Sequence, residues 1–170
     1  KSLTLLCLAC VFSLAATAQK KVSSKFQEKI KILVTDIPRQ QPALQMISFA
    51  KTLIGIPYRY ASSNPNKGFD CSGFVNYVFQ NVGFSVPRSS REFSSAGTQV
   101  NLKDAKVGDV LIFTGSNPKV RSIGHVGIVY AIEGDEIKFI HSSSGKAKGV
   151  TISDMDSYYK SRFLKAVSII

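Results

Sequence analysis

The spacing of apolar residues changes once along this chain, and that change constrains its fold more than any other feature. Up to about residue 97 they recur every three or four positions, and from residue 109 onward they alternate. Helices first and strands second is the α+β pattern, with N-terminal helices packed on a central antiparallel β-sheet. At 170 residues the chain has the size of one domain, and it shows no internal repeat or second composition block.

The helical part carries its own punctuation. Phe26, Ile30 and Leu33 or Val34 lie at helical spacing in a charged stretch over 24–35. A second helix is predicted from Pro42, suited to a first helical position, through Leu44, Ile47, Ala50 and Ile54 to Gly55. The best-signalled helix follows a loop rich in Asn, Ser and Pro. Asp70 is a good N-cap and places Cys71 at the first helical position, while Phe69 and Phe74 form a hydrophobic staple across the start. Val75, Val78, Phe79 and Val82 continue its buried stripe, and Gly83 ends it. A shorter helix is expected from Ser89, with Glu92 completing a capping box, to just before Gly97. Strands are then predicted over 109–114, 125–132, 136–142, 150–152 and 164–169, with a helical turn over 154–159.

The first eighteen residues read as a secretory leader. Lys1 precedes an apolar run from Leu3 to Ala16, which closes on the small-x-small pattern Ala16-Thr17-Ala18. The run is shorter than the roughly 20 residues a membrane span needs, so no integral membrane segment is expected in the mature protein. Lipid anchoring through Cys10 is a weaker reading, because the apolar run continues past it. The expected organisation is a signal peptide over 1–18, an extension with a helix over 19–42, and a catalytic domain over 43–170. The protein is then exported to the periplasm, cell envelope or exterior. The net charge of +11 is spread thinly, with no run denser than Lys20-Lys21 and no nucleic-acid motif. An anionic envelope surface is a better counterpart for it than nucleic acid.

Two of the three cysteines, Cys7 and Cys10, fall in the leader and leave Cys71 as the single mature thiol. In an oxidising compartment cysteines usually pair, so a lone one is either buried filler or a reagent. A helix start surrounds a thiol with unsatisfied N–H groups and the positive end of the dipole, which favours the thiolate if a cationic partner helps. The only histidines are His125 and His141, on two consecutive predicted strands. They face the same side only if the hairpin between them has an odd loop or a bulge. A three-residue loop at 133–135 pairs 132 with 136 and sets 141 opposite 127, a diagonal neighbour of 125. With that geometry His125 serves as the base for Cys71, and His141 orients the His125 ring. Gly73 is read as keeping the thiol open to substrate, and Gly124 and Gly127 as leaving room for a substrate backbone. Zinc is a weak alternative, since one Cys and two His lack any close metal-ligand spacing.

Six segments occur in the order seen in the NlpC/P60 family, over about residues 45–169. They are Pro57-Tyr58, Asp70-Cys71-Ser72-Gly73-Phe74-Val75, Val86-Pro87-Arg88-Ser89-Ser90, Gly108-Asp109-Val110-Leu111-Ile112-Phe113, Gly124-His125-Val126-Gly127-Ile128-Val129 and Ile140-His141-Ser142-Ser143. The chain resembles that family. The resemblance implies a papain-like α+β fold and a cysteine peptidase that cuts peptidoglycan stem peptides between γ-D-glutamate and a diamino acid, often meso-diaminopimelate. It implies Cys71 as nucleophile, His125 as base, His141 as the third polar residue, and Tyr58 as a thiol neighbour that helps bind the oxyanion. No cofactor or metal is implied, and a monomer is expected. An amidase or acyltransferase of the same fold, or a non-catalytic wall-binding protein, are the alternatives. The family often has Gly-Gly shortly after the Pro-Tyr, where this chain has Ala61-Ser62. Arg59 and Arg88 lie in loops near the predicted cleft and are read as ordinary surface charges.

Overall fold

In a computed structural model the described residues are Glu28 and 41–170, and residues 41–170 form one compact unit. The expected leader and most of the helix over 24–35 lie outside the described residues; Glu28 is helical and exposed. Helix α1 has described residues 41–52. It buries Ala43, Met46, Ile47 and Ala50 and leaves Leu44 exposed, while the turn after it buries Leu53 and exposes Ile54. The predicted stripe was therefore rotated: Ile47 and Ala50 are shared by both faces, but the apolar residues at 44 and 54 point away from the core. Partner contacts decide between two faces that helical periodicity alone leaves nearly equivalent.

Two short strands, β1 (Ser63–Asn64) and β2 (Gly68–Phe69), make a small antiparallel ladder ahead of helix α2 (Cys71–Asn81). The staple forms as expected, with Phe69 and Phe74 fully buried and their rings edge to face at 5.9 Å. The segment after Ser89 is a 3-10 turn over Glu92–Ser95 rather than an α-helix. Half of its capping box is nonetheless made, because the Ser89 N–H donates to the Glu92 carboxylate at 3.2 Å.

The remainder is a six-stranded sheet of β3 (Thr98–Val100), β4 (Val110–Thr114), β5 (Ile123–Glu133), β6 (Glu136–Ser143), β7 (Gly149–Asp154) and β8 (Phe163–Ser168), in the spatial order β3-β8-β4-β5-β6-β7. Every neighbouring pair is antiparallel. A short helix α3 (Ser157–Arg162) connects β7 to β8. The chain is thus an α+β fold with few helices on a mostly antiparallel sheet.

Alternation on the strands sorts the core into two clusters. Val110, Ile112, Val126, Ile128 and Ile140 face α1 and α2. Leu111, Phe113, Val129 and Phe139 face the other side, where Met155 and, from α3, Tyr159 cover them. His125 and His141 belong to this second face by strand parity.

The β5–β6 hairpin meets the parity condition by a different device from the three-residue loop. The loop is even, with Glu133 paired to Glu136 across Gly134 and Asp135. The odd residue sits inside the ladder, where Val129 pairs with Phe139 but Ala131 pairs with Lys138, leaving Tyr130 as a bulge. Past the bulge the register runs through Ile128↔Ile140, which sets position 127 opposite 141.

Candidate active site

The start of α2 is held from three directions. Asp70 caps it, its Oδ1 accepting from the Gly73 N–H at 2.6 Å. Behind the cap, the Asp70 N–H donates to the Ser62 carbonyl at 2.9 Å, and the Ser142 hydroxyl of β6 donates to the Phe69 carbonyl at 2.7 Å. Arg88 closes the third side with a two-pronged bond to the Asp70 carboxylate, at 3.0 and 2.6 Å, and a further bond to the Ser72 hydroxyl at 3.2 Å. Arg88 is therefore no ordinary surface charge. Its planar fork matches the carboxylate that fixes the helix terminus. Arg59 stays exposed, in line with its reading from sequence.

The glycines do other work than expected. A Cβ on Gly73 would lie 2.2 Å from the Ser62 carbonyl oxygen, so the missing side chain admits the preceding loop rather than substrate. A Cβ on Gly127 would meet the Phe139 ring at 2.7 Å and the His141 Cβ at 3.1 Å, so this glycine admits His141. Gly124 is the bulged residue between the Phe113↔His125 and Thr114↔Ile123 pairs and packs on Gly115.

Cys71 is buried at the first turn of α2, which packs over β5 and β6. The last registered pair of the β5–β6 ladder is Ile128↔Ile140, and beyond it Gly127 still packs on His141. The backbone N–H groups of Val126, Ser72 and Cys71 itself act on the sulfur there and favour its thiolate. Burial and the neighbouring Asp70 carboxylate outweigh them and push the thiol above its usual pKa. This corrects the expectation of a lowered thiol. The N–H groups of the helix start are present and the Arg88 guanidinium also interacts with the Cys71 charge, but burial and Asp70 outweigh them.

His125 and His141 meet edge to face, with the His125 Nε2 2.8 Å from the His141 Nδ1. His125 is left with Nδ1 as the nitrogen that His141 does not engage. Its pKa is held well below 6.5 by burial, by His141 and by the Arg162 guanidinium. His141 has no exposed surface, and burial followed by Arg162 lowers its pKa to about 3. Arg162 is itself buried. It is anchored by the carbonyls of Thr114 and Gly115 and the Tyr158 hydroxyl, and it lies over the Tyr158 ring at 4.9 Å.

Tyr58 is half-buried in a segment bridged to Phe69 and, through Pro57, to Gly149. Burial, then the charges that Cys71 and Asp70 would carry, raise its phenol pKa and keep it a hydrogen-bond donor beside the sulfur. The structure thus sets Tyr58 beside Cys71, joins His125 to His141, and has the N–H of Val126, the residue after His125, acting on the Cys71 sulfur. Among the described residues no group of three or more His, Cys, Asp or Glu side chains is arranged to hold a metal.

Sequence reading missed Ser153, whose hydroxyl lies 3.0 Å from the His141 Nε2. The strand was expected to stop at residue 152, yet β7 runs to Asp154, and Ser153 pairs with Phe139 on the histidine face. Alternation from Thr151 was the available signal. Arg162 and Tyr159 carried no comparable signal, since only the fold of α3 onto the second face brings them to the histidines.

The NlpC/P60 family model matches residues 55–168. Among relatives, the γ-DL-glutamyl hydrolase of Bacillus subtilis is 40% identical over 119 residues, covering 69% of this chain and 27% of that protein. The γ-D-glutamyl-L-lysine dipeptidyl-peptidase of the same organism is 35% identical over 111 residues, covering 64% of this chain and 37% of its own length. The chain therefore spans only about a third of these relatives. Among solved structures, the peptidoglycan hydrolase RipB of Mycobacterium tuberculosis is similar, with a TM-score of 0.60, 28% identity, and coverage of 77% of this chain and 66% of that one. With a family match that spans most of the compact unit and includes Tyr58, Cys71, His125 and His141, this chain belongs to the NlpC/P60 family.

Proposed function

We propose that the chain is a cysteine endopeptidase that hydrolyses peptidoglycan stem peptides at the bond between γ-D-glutamate and a diamino acid, with meso-diaminopimelate as the expected one. The observations that support this reading are Cys71 at a helix start, its sulfur acted on by the N–H of Val126, and the hydrogen-bonded pair that His125, the residue before Val126, makes with His141. The relatives named as a γ-DL-glutamyl hydrolase and a γ-D-glutamyl-L-lysine peptidase support the choice of bond.

In this reading the resting pair is a neutral thiol and a neutral imidazole. The Cys71 sulfur attacks the γ-carbonyl carbon while its proton passes to the His125 Nδ1. The oxygen of the tetrahedral intermediate takes hydrogen bonds from the Cys71 N–H and the Tyr58 hydroxyl. Collapse expels the amine of the diamino acid, which receives the proton from His125. Water, deprotonated by the same imidazole, then hydrolyses the thioester and restores the thiol. The His141 Nδ1 accepts from the His125 Nε2–H throughout and steadies the imidazolium as it forms.

Such a substrate lies outside the cytoplasm, in keeping with the leader read over 1–18. The test is mass spectrometry of muropeptides incubated with the wild-type protein and with Cys71→Ala. Fragments ending in γ-D-glutamate, absent with Cys71→Ala, are expected. Fragments of other mass would assign the thiol to an amidase or transferase, and identical digests from both proteins would remove Cys71 from the chemistry.

A further inference from the structure

We propose that Ser153, backed by the Tyr159 hydroxyl, is a positioning residue that sets the proton arrangement of both histidines and so leaves the His125 Nδ1 bare to receive the thiol proton. The inference rests on the thiol chemistry proposed above and adds to it a member beyond His141.

A neutral imidazole has one N–H donor and one bare acceptor nitrogen. The 2.8 Å contact between the His125 Nε2 and the His141 Nδ1 therefore admits two arrangements. In one, His125 donates from Nε2, its Nδ1 is bare, and His141 must carry its proton on Nε2. In the other, His141 donates from Nδ1, and the proton of His125 is forced onto the nitrogen needed as base. Whatever stands at the His141 Nε2 selects between them. That group is Ser153, with its oxygen 3.0 Å away.

A hydroxyl can donate or accept, so a second group must orient it. The candidate is Tyr159, whose phenol is held protonated by burial, with Ser153 near enough to oppose that shift. In the proposed arrangement the Ser153 hydroxyl donates toward the Tyr159 oxygen, and its lone pair, 3.0 Å away, accepts from the His141 Nε2–H. Donation then runs in one direction along the two observed contacts, from His125 to His141 and from His141 to Ser153. Because His141 has no exposed surface, water cannot readily replace Ser153 as the acceptor. The Tyr159 ring also stands edge to face on Phe139 and on His141, at 4.7 and 5.6 Å, which fixes the phenol against this group.

The experiment compares the full chain with Ser153→Ala, Ser153→Thr and Tyr159→Phe, reading kcat and KM on muropeptides and the imidazole nitrogen shifts by 15N NMR. Wild type is expected to show both histidines protonated at Nε2. Ser153→Ala should lose roughly tenfold or more in kcat, with KM within about twofold, and shift its imidazole signals toward the other tautomer. Ser153→Thr, which keeps the hydroxyl on a strand that suits threonine, should restore both. Tyr159→Phe, which keeps the ring, should move the same signals part of the way. A wild-type His125 protonated at Nδ1 would overturn the proposal, as would Ser153→Ala with unchanged kcat and unchanged nitrogen shifts. A failure of the thiol reading would show separately, as cleavage that survives Cys71→Ala, while the nitrogen shifts report the tautomers independently of turnover.

Discussion

Cys71 and His125 carry opposite perturbations, and the two are compatible with one proton shared late. Burial raises the thiol and lowers the imidazole, so each is neutral at pH 7. The base is competent only while neutral. Its acid limb should therefore follow the lowered imidazole: the profile of kcat/KM is expected to fall at a pH below 6.5, and a limb at or above 6.5 would contradict the buried, neutral state. The charge that most raises the thiol after burial belongs to Asp70. Asp70→Asn keeps a good N-cap but removes that charge. Alkylation of Cys71 by iodoacetamide at pH 8 should become several-fold faster in this variant, since more of the sulfur is thiolate. An unchanged or slower rate would show that the carboxylate is not what holds the proton on.

At the scale of elements, the loop from Pro57 to Asp70 and the helix after it are built around close backbone approach. Ala61 adopts φ 57°, a left-handed conformation that costs a residue with a Cβ about 1–2 kcal/mol. It stands where the family often has glycine. Ala61→Gly should raise stability by up to about 1 kcal/mol, less the extra freedom glycine has when unfolded, read as a higher midpoint in urea. Gly73→Ala should do the reverse. Its Cβ would lie 2.2 Å from the Ser62 carbonyl, a backbone atom that cannot swing aside. A loss of about 2 kcal/mol or more is expected on thermal unfolding, and near-neutral behaviour would mean that the loop is free to withdraw. The hairpin shows the same dependence on backbone detail, because the Tyr130 bulge supplies the odd residue that its even loop lacks.

For the whole molecule, the buried His141 makes folding depend on pH. The folded pKa of His141, about 3, lies below the unfolded value near 6.5, so the unfolded chain binds the extra proton first. Its contribution to stability is complete above pH 6.5 and is lost as pH falls toward 3. Between pH 7 and pH 4 this amounts to a loss on the order of 3 kcal/mol, measurable by urea denaturation at the two pH values. His141→Asn should flatten that part of the dependence. Arg162 belongs to the same balance. It is a buried cation held by the Thr114 and Gly115 carbonyls, and it disfavours a second positive charge on either imidazole.

What the sequence determined by itself was local or additive. The cap at Asp70, the Phe69–Phe74 staple, the switch from helical to alternating period, and the solitary thiol at a helix start all depend on residues a few positions apart. Propensity and spacing report on such features directly. The demand that the hairpin carry an odd residue followed from strand parity, though not whether a loop or a bulge would supply it. Only the tertiary structure decided which face of α1 is buried, that Gly73 and Gly127 make room for Ser62 and His141, and that Arg88 grips Asp70. It also placed Ser153, Tyr159 and Arg162 behind the histidines. These depend on which distant segments the fold brings together. The same assembly reversed the expected direction of the thiol pKa, since a helix start favours a thiolate locally while burial in the folded core disfavours it more.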